Sequence, residues 1–384
     1  MKTFYLNHHK KIKYFLVLII FLLSKTIQSQ KFKEMIKDST DNAIDISGVL
    51  NSDLSFLPIP IIITEPAVGF GGGLALGYFH KDRKDPNAVK GLSPTVSFLA
   101  AAYTSNNTWF VLGGHQGSYL NDRIRYLGVL GYMSVNLTFY GADGYLPPGN
   151  YRFNMKGFLT LQELLYRVSK KQPFFAGLNY TYLNNTVSFM TDIDIPGLDK
   201  LEAEINTAGL NSVFLWDGRN NSLTPTKGIM STLELGRYAT FLGGDNNYWN
   251  FESRTYGYVP IIKEKLFSGY RLSLATKDGD VPFYELPFIS LRGIPALRYQ
   301  DNNVITVETE WRWQFIRRWS LLGFIGAGEA ADSYKNIGKD IKVAGGGGFR
   351  YLLARDYGLH AGVDIARGPE QWAWNITIGS NWRR

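Results

Sequence analysis

Residues 305–315, ITVETEWRWQF, interleave two unlike sets of side chains. Thr306, Glu308, Glu310, Arg312 and Gln314 take one phase of the alternation; Ile305, Val307, Thr309, Trp311, Trp313 and Phe315 take the other. A period of two is that of a β-strand, whose successive side chains point to opposite faces. In a soluble sandwich the apolar phase would be aliphatic and packed, and the polar phase short or mixed. Here the apolar phase carries two tryptophans and the polar phase three charges. A barrel wall in a membrane supplies both environments, lipid with an aromatic interface outside and a wet, charged lumen inside.

Residues 372–382, WAWNITIGSNW, repeat the pattern. Trp372, Trp374, Ile376, Ile378 and Trp382 share one phase and are expected to face lipid, with indoles at the two headgroup levels and isoleucines between. Asn375 and Thr377 fall on the other. From residue 57 onward about sixteen such runs follow one another, separated by turn signals and with no convincing globular helix. An even number suits an antiparallel barrel with both termini on the periplasmic side. The expected fold is therefore all-β, a transmembrane antiparallel barrel of about 16 strands with a long inserted loop between strands 11 and 12.

Composition agrees. Mean hydropathy is only -0.13 although 45% of residues are hydrophobic, too polar for a bundle of membrane helices, while 15% aromatics and 40 glycines suit many strands and turns. There is no cysteine, which excludes disulfides and thiolate metal sites. Residues 1–29 read as a secretory signal: a basic leader, the apolar core YFLVLIIFLL and Ser29 before Gln30. Ten apolar residues fall short of the roughly 20 a membrane helix needs. The leader holds five lysines and no acid, so its removal takes the formal charge from +8 to +3. The basicity that might suggest nucleic acid leaves with it. Residues 30–56 are polar and form a short periplasmic segment; residues 57–384 form the barrel, placed in the bacterial outer membrane.

Three motifs resemble one family, the surface-antigen superfamily of outer-membrane assembly and secretion barrels (BamA/TamA-like). WDGRNNSLTPTKG, residues 216–228, is similar to the family's turn motif, carried here by Asp217, Arg219, Pro225 and Gly228. SLRGIPALRY, residues 290–299, resembles its Arg-Gly-aromatic loop motif, carried by Arg292, Gly293 and Ile294. GGGGFRYLLARDYGLHAGVDIARG, residues 345–368, resembles its late-barrel motif, carried by Gly346, Gly348, Arg350 and Asp364. The resemblance implies a loop whose arginine tucks into the lumen. Independently, residues 279–303 make a connection far longer than a hairpin turn, and such loops are usually functional or disordered. In secretion members the loop arginine meets an aspartate in Phe-x-Asp-x-Gly. Here that stretch reads FIGAG with Gly326 at the acid's position, so Glu308, Glu310 or Glu329 is the expected partner. Ile294 also stands where the family has an aromatic. About 27 residues ahead of the barrel cannot hold the periplasmic polypeptide-transport-associated domains of family members.

No enzymatic constellation emerges. His8 and His9 belong to the leader, and His80, His115 and His360 lie on different runs as wall or loop residues. No nucleophile elbow, zinc-protease helix or phosphate loop is present. Neither a cofactor nor a metal is expected, and a lipase built from a barrel-wall Ser and His is the residual enzymatic reading. Two functions fit the architecture. One is insertion or translocation of polypeptide or lipid through a seam between the first and last strands, near Ile59, Ile61 and Ile63 and near Asn375, Thr377 and Trp382, by β-augmentation. Pro58 and Pro60, which cannot donate ladder hydrogen bonds, suit such an edge. The other is a passive channel narrowed by its loop. Expected partners are outer-membrane lipid, a client polypeptide and a periplasmic or lipoprotein partner.

Overall fold

The alternation closes into sixteen antiparallel strands, each hydrogen-bonded to its sequence neighbours in the order β1 to β16. The computed structural model describes residues 35–51, 56–80, 95–141, 148–190 and 202–382; the expected leader, residues 1–29, and residues 30–34 lie outside them. The strands are β1 (Phe56–Ile63), β2 (Gly71–Phe79), β3 (Val96–Thr104), β4 (Trp109–Tyr119), β5 (Ile124–Phe139), β6 (Tyr151–Arg167), β7 (Phe174–Phe189) and β8 (Glu202–Asp217). There follow β9 (Gly228–Tyr238), β10 (Tyr248–Ile262), β11 (Leu266–Gly279), β12 (Asn303–Gln314), β13 (Trp319–Ala331), β14 (Lys342–Ala354), β15 (Leu359–Arg367) and β16 (Trp372–Ile378).

The chain divides into two compact units. In the smaller one, residues 35–51 fold with Leu353–Tyr357 around two buried carboxylates. Asp38 pairs with the Arg355 guanidinium at 2.7 Å, and Asp45 accepts the N–H groups of Ser47 at 2.7 Å and Arg355 at 3.1 Å. The single helical turn α1 (Ser47–Leu50) follows, and Asn51 beyond it accepts from the Tyr357 hydroxyl at 2.7 Å.

The larger unit is the barrel. Its outer phase is apolar: Leu76, Leu99, Val111, Leu130, Val307 and Ile325 are all among the exposed side chains, as are Trp311, Trp313, Trp372 and Trp374. An aqueous protein rarely exposes so continuous an apolar surface, whereas lipid requires one. The inner phase carries the buried polar residues, among them Glu163, Asn179, Asn211, Thr306, Glu308, Arg312, Arg350 and Asp364. Strands β5 to β8 run 16 or 17 residues, while β1 has eight and β16 seven. A transmembrane strand needs about 9–11 residues. The two shortest strands are thus the two ends of the hydrogen-bonded order, brought near each other where Phe70, just before β2, stacks on Trp374 of β16 at 5.7 Å.

Candidate functional site: an ion cluster in the lumen

Residues 280–302, between β11 and β12, fold as a short hairpin, with Phe288 bridging Gln300 and the Ile289 N–H donating to the Tyr299 carbonyl at 2.9 Å. One end is held by Phe283, whose ring contacts those of Phe139, Phe153 and Phe189 at 4.9, 5.0 and 5.5 Å. At the tip, Gly293 has φ +95°, and a Cβ there would lie 2.8 Å from the Gly368 backbone nitrogen. Both the left-handed backbone and the close approach demand glycine. Ile294 is buried with Ile289, Leu291, Val304 and Ala344, so an aliphatic side chain fills the place of the family's aromatic.

The tip aims Arg292 at three carboxylates. Its Nε and Nη2 donate to Glu308 Oε1 at 2.9 and 2.7 Å, Nη2 also to Glu310 at 3.0 Å, and Nη1 to Asp364 at 3.1 Å. The guanidinium lies over the Phe324 ring at 3.5 Å, a stacked, forked geometry that suits arginine and not lysine. Arg350 donates to Asp364 at 2.8 Å, and Arg271 lies 3.5 Å from Glu308. Three guanidiniums thus face three carboxylates, which is how buried charges are sustained. Burial works against the charge of Arg292, but Glu308, Glu310 and Asp364 outweigh it and hold its pKa above the ordinary guanidinium value.

Gly326 explains where the acid went. It is the cross-strand partner of Glu308, and a Cβ at 326 would lie 2.6 Å from Leu291 and 3.1 Å from the Glu308 side chain. The carboxylate reaches the loop from one strand over, through space the glycine leaves open. Gly346 and Gly348 act similarly: Cβ atoms there would lie 2.0 Å from the Ile365 carbonyl and 2.2 Å from Asp364.

Two expectations are corrected. Glu329 shares the outward phase of β13 with Leu321 and Ile325 and stands opposite Ile305, so it does not face the lumen. Near the strand end it accepts the N–H groups of Gly338, Lys339 and Asp340 at 2.5, 2.9 and 2.8 Å. Trp382 does not face lipid. Strand β16 stops at Ile378, Gly379 takes φ +83°, and this left-handed residue resets the alternation. The chain turns inward, where Trp382 is 4% exposed, donates its indole N–H to Glu308 Oε2 at 2.7 Å and stacks on Tyr256 at 6.1 Å. A Cβ on Gly269 would lie 2.7 Å from that indole.

Residues 379–382 therefore meet all three motifs. With its amide oriented to satisfy both ends, Asn381 accepts from Arg292 Nε and Nη1 at 3.1 and 3.2 Å and donates to Thr377 at 2.8 Å. The Ser380 N–H donates to the Leu223 carbonyl at 2.6 Å, inside the turn that Asp217 organises. Asp217 accepts from Arg219 Nε at 2.8 Å and from Arg125 at 2.9 Å. Pro225 is buried, and Gly228, at φ +107°, would place a Cβ 2.1 Å from the Gly218 carbonyl. On the inner phase of the seam, Asn375 and Thr377 point toward this cluster, while Ile59, Ile61 and Ile63 take the less exposed phase of β1. Beside the cluster the lumen holds a cavity of about 520 Å³ lined by Arg125, Arg167, Arg219, Arg254 and Lys277 together with five carboxylates. Arg271, Asp364 as a partner of Arg292, and residues 379–382 are what sequence reasoning missed.

Residues 134–290 match the model of the Omp85 superfamily domain. Among solved structures the chain is similar to BamA from Haemophilus ducreyi lacking POTRA domains 1-3, with TM-score 0.57 and 14% identity over 89% of this chain and 73% of that one. It is also similar to CdiB from Acinetobacter baumannii (0.53, 11%, 84% and 59%) and CdiB from Escherichia coli (0.55, 9%, 84% and 62%). The chain thus spans about three-fifths of the length of each CdiB, and likeness at these identities is one of fold. No curated protein matches the sequence. With the sixteen-strand order and the membrane-facing outer wall together, the chain is an outer-membrane β-barrel in which residues 134–290 match the Omp85 superfamily domain.

Proposed function

We propose that the barrel assists insertion or translocation of polypeptide or lipid at the outer membrane, by parting β1 from β16 and offering their edges to a client strand. The observation that supports this most is the construction of the seam. The hydrogen-bonded order ends at β1 and β16, these are the shortest strands, and β1 carries Pro58 and Pro60. Unpaired strand edges are templates for β-augmentation. Residues 379–382 add a restraint: while Trp382 and Asn381 are held by Glu308 and Arg292, the end of β16 is tied to β12 and to the connection before it, and release of that tie frees the strand to move. Client polypeptide, and a periplasmic or lipoprotein partner delivering it, belong to this reading.

The lumenal cavity favours a second reading, a passive channel narrowed by residues 280–302. One cysteine in residues 59–63 and one in residues 375–379 separate the two, since the chain has no native cysteine. Several registers are needed to bring the pair within disulfide reach, about 4.4–6.8 Å between Cα atoms. The expected result is that locking abolishes cellular function, leaves the heat-resistant barrel and its conductance unchanged, and is reversed by reductant. An efficiently locked barrel with full function would establish the channel instead.

A further inference from the structure

Ser97 lies between two imidazoles on the membrane-facing side of the wall. On β3 it shares a phase with exposed Leu99 and Tyr103, and on β4 His115 shares one with exposed Val111 and Tyr119. Ser97 and His115 are cross-strand partners, and His80 follows β2 with its N–H donating to the Thr95 carbonyl at 3.0 Å. Ser97 Oγ stands 2.8 Å from His80 Nε2 and 2.7 Å from His115 Nδ1, and His115 Nε2 is hydrogen-bonded to the Tyr119 hydroxyl. The His80 and His115 rings meet edge to face at 5.2 Å, with Tyr78 packed on His80 at 4.7 Å. Ionisable side chains are costly on a lipid-facing wall and mark function there by default. Neither the lumenal cluster nor the seam uses these.

We propose that this cluster is a serine acyl-hydrolase site acting on lipid esters. The serine hydroxyl has one proton, so one imidazole accepts it and the other donates. Tyr119 is the positioning residue: accepting the Nε2 proton of His115, it leaves the Nδ1 lone pair facing Ser97. His80 then donates from Nε2 to the same oxygen. In this arrangement Ser97 is the nucleophile, His115 the general base and His80 the donor beside the reacting oxygen, the triad logic of a nucleophile, an oriented base and an anion stabiliser. The site lies toward the end of the wall where β1 begins, since Phe56 packs on Tyr78 at 4.8 Å. Near a barrel rim, glycerol esters and water are both in reach.

The chemistry balances with water as the only co-reactant. Ser97 Oγ attacks the ester carbonyl while its proton passes to His115 Nδ1, and the carbonyl electron pair moves onto oxygen, where the His80 N–H meets it. Collapse breaks the acyl–oxygen bond, and the departing lysolipid alkoxide takes the proton from His115. Water, deprotonated by His115, then cleaves the acyl-serine to a fatty acid and returns the proton to Ser97.

The test uses the full chain, folded in detergent, with a long-chain alkyl fluorophosphonate and with phosphatidylethanolamine in mixed micelles. Expected are labelling at Ser97 located by mass spectrometry, release of lysophospholipid and fatty acid, and loss of both in Ser97→Ala. His115→Gln is expected to slow turnover by about 10²–10⁴-fold. His80→Gln is expected to lower kcat about 10²–10³-fold with KM little changed. Tyr119→Phe is expected to shift the acidic limb of the pH profile, where the His115 base takes up a proton, without altering KM. All four side chains lie on the outer wall, so the variants are expected to keep heat-resistant migration; where one does not, wild-type labelling still decides. Wild-type labelling no greater than in Ser97→Ala, or lipid turnover that survives Ser97→Ala, overturns the proposal.

Discussion

Glu308 has three partners in the lumen, Arg292, Trp382 and Arg271. One oxygen accepts two N–H groups of Arg292; the other accepts the Trp382 indole and faces Arg271. Glu308→Gln keeps the shape but removes one of three negative charges, leaving buried guanidiniums in excess. Breaking a buried pair in this way costs about 3–5 kcal/mol. Denaturant unfolding followed by heat-resistant migration is expected to show that loss for Glu308→Gln and a smaller one for the less buried Glu310→Gln. Arg292→Ala is expected to raise single-channel conductance or its noise, and Arg292→Lys to restore it only in part, because an ammonium cannot replace a planar fork stacked on Phe324. A wild-type trace from Arg292→Ala would show that residues 280–302 are held by other contacts. Glu308 and Glu310 were legible from alternation alone, because a period of two fixes the face of every residue in an unbroken strand. Asp364 as a partner was not, since it depends on the lateral placement of β15, and Trp382 was misread because one glycine at φ +83° ends the period.

At the scale of elements, the hairpin of residues 280–302 has a third fastening besides Phe283 and Arg292. Arg298 Nε donates to Glu370 at 2.8 Å and the Tyr299 hydroxyl donates to the same carboxylate at 2.8 Å, joining the hairpin to the connection between β15 and β16. The hydrogen bond from Arg298 is the main reason that the Glu370 carboxyl is held below the usual carboxylate range. A carboxyl whose pKa is lowered on folding contributes fully above its unfolded value, and the contribution disappears as pH falls through the folded one. A spin label at Ser290→Cys is therefore expected to become more mobile on acidification below the ordinary carboxylate range, and Glu370→Gln to make it mobile throughout. Equal, pH-dependent mobility in wild type and Glu370→Gln would assign the effect to another group. The long connection was legible from its length. Its inward course followed from Arg292 and the two glutamates opposite, whereas the Arg298–Glu370 fastening is a contact between residues 72 apart that no local pattern announces.

For the whole molecule, strand count and facing were readable because the membrane imposes one rule on every strand, apolar outward and polar inward. The cost of breaking it differs by face. Ile325→Arg, on the outer wall near the middle of β13, is expected to cost about 2–4 kcal/mol of barrel stability. Thr181→Arg, lining the lumenal cavity, is expected to cost far less. Equal losses would contradict the facing of both strands. What the rule does not reach is the pairing of residues across the barrel, and there the cluster of Arg292, Glu308, Asn381 and Trp382 links the lumen to the last strand. That link is the central claim, and a spin-label pair at Phe56→Cys and Ile378→Cys, both exposed at the seam, measures it in a chain with no other cysteine. Double electron–electron resonance in lipid is expected to give one narrow distance distribution for the otherwise wild-type barrel and a second, longer population when Trp382→Ala is added. An unchanged narrow distribution in Trp382→Ala would contradict the claim that residues 379–382 hold the seam.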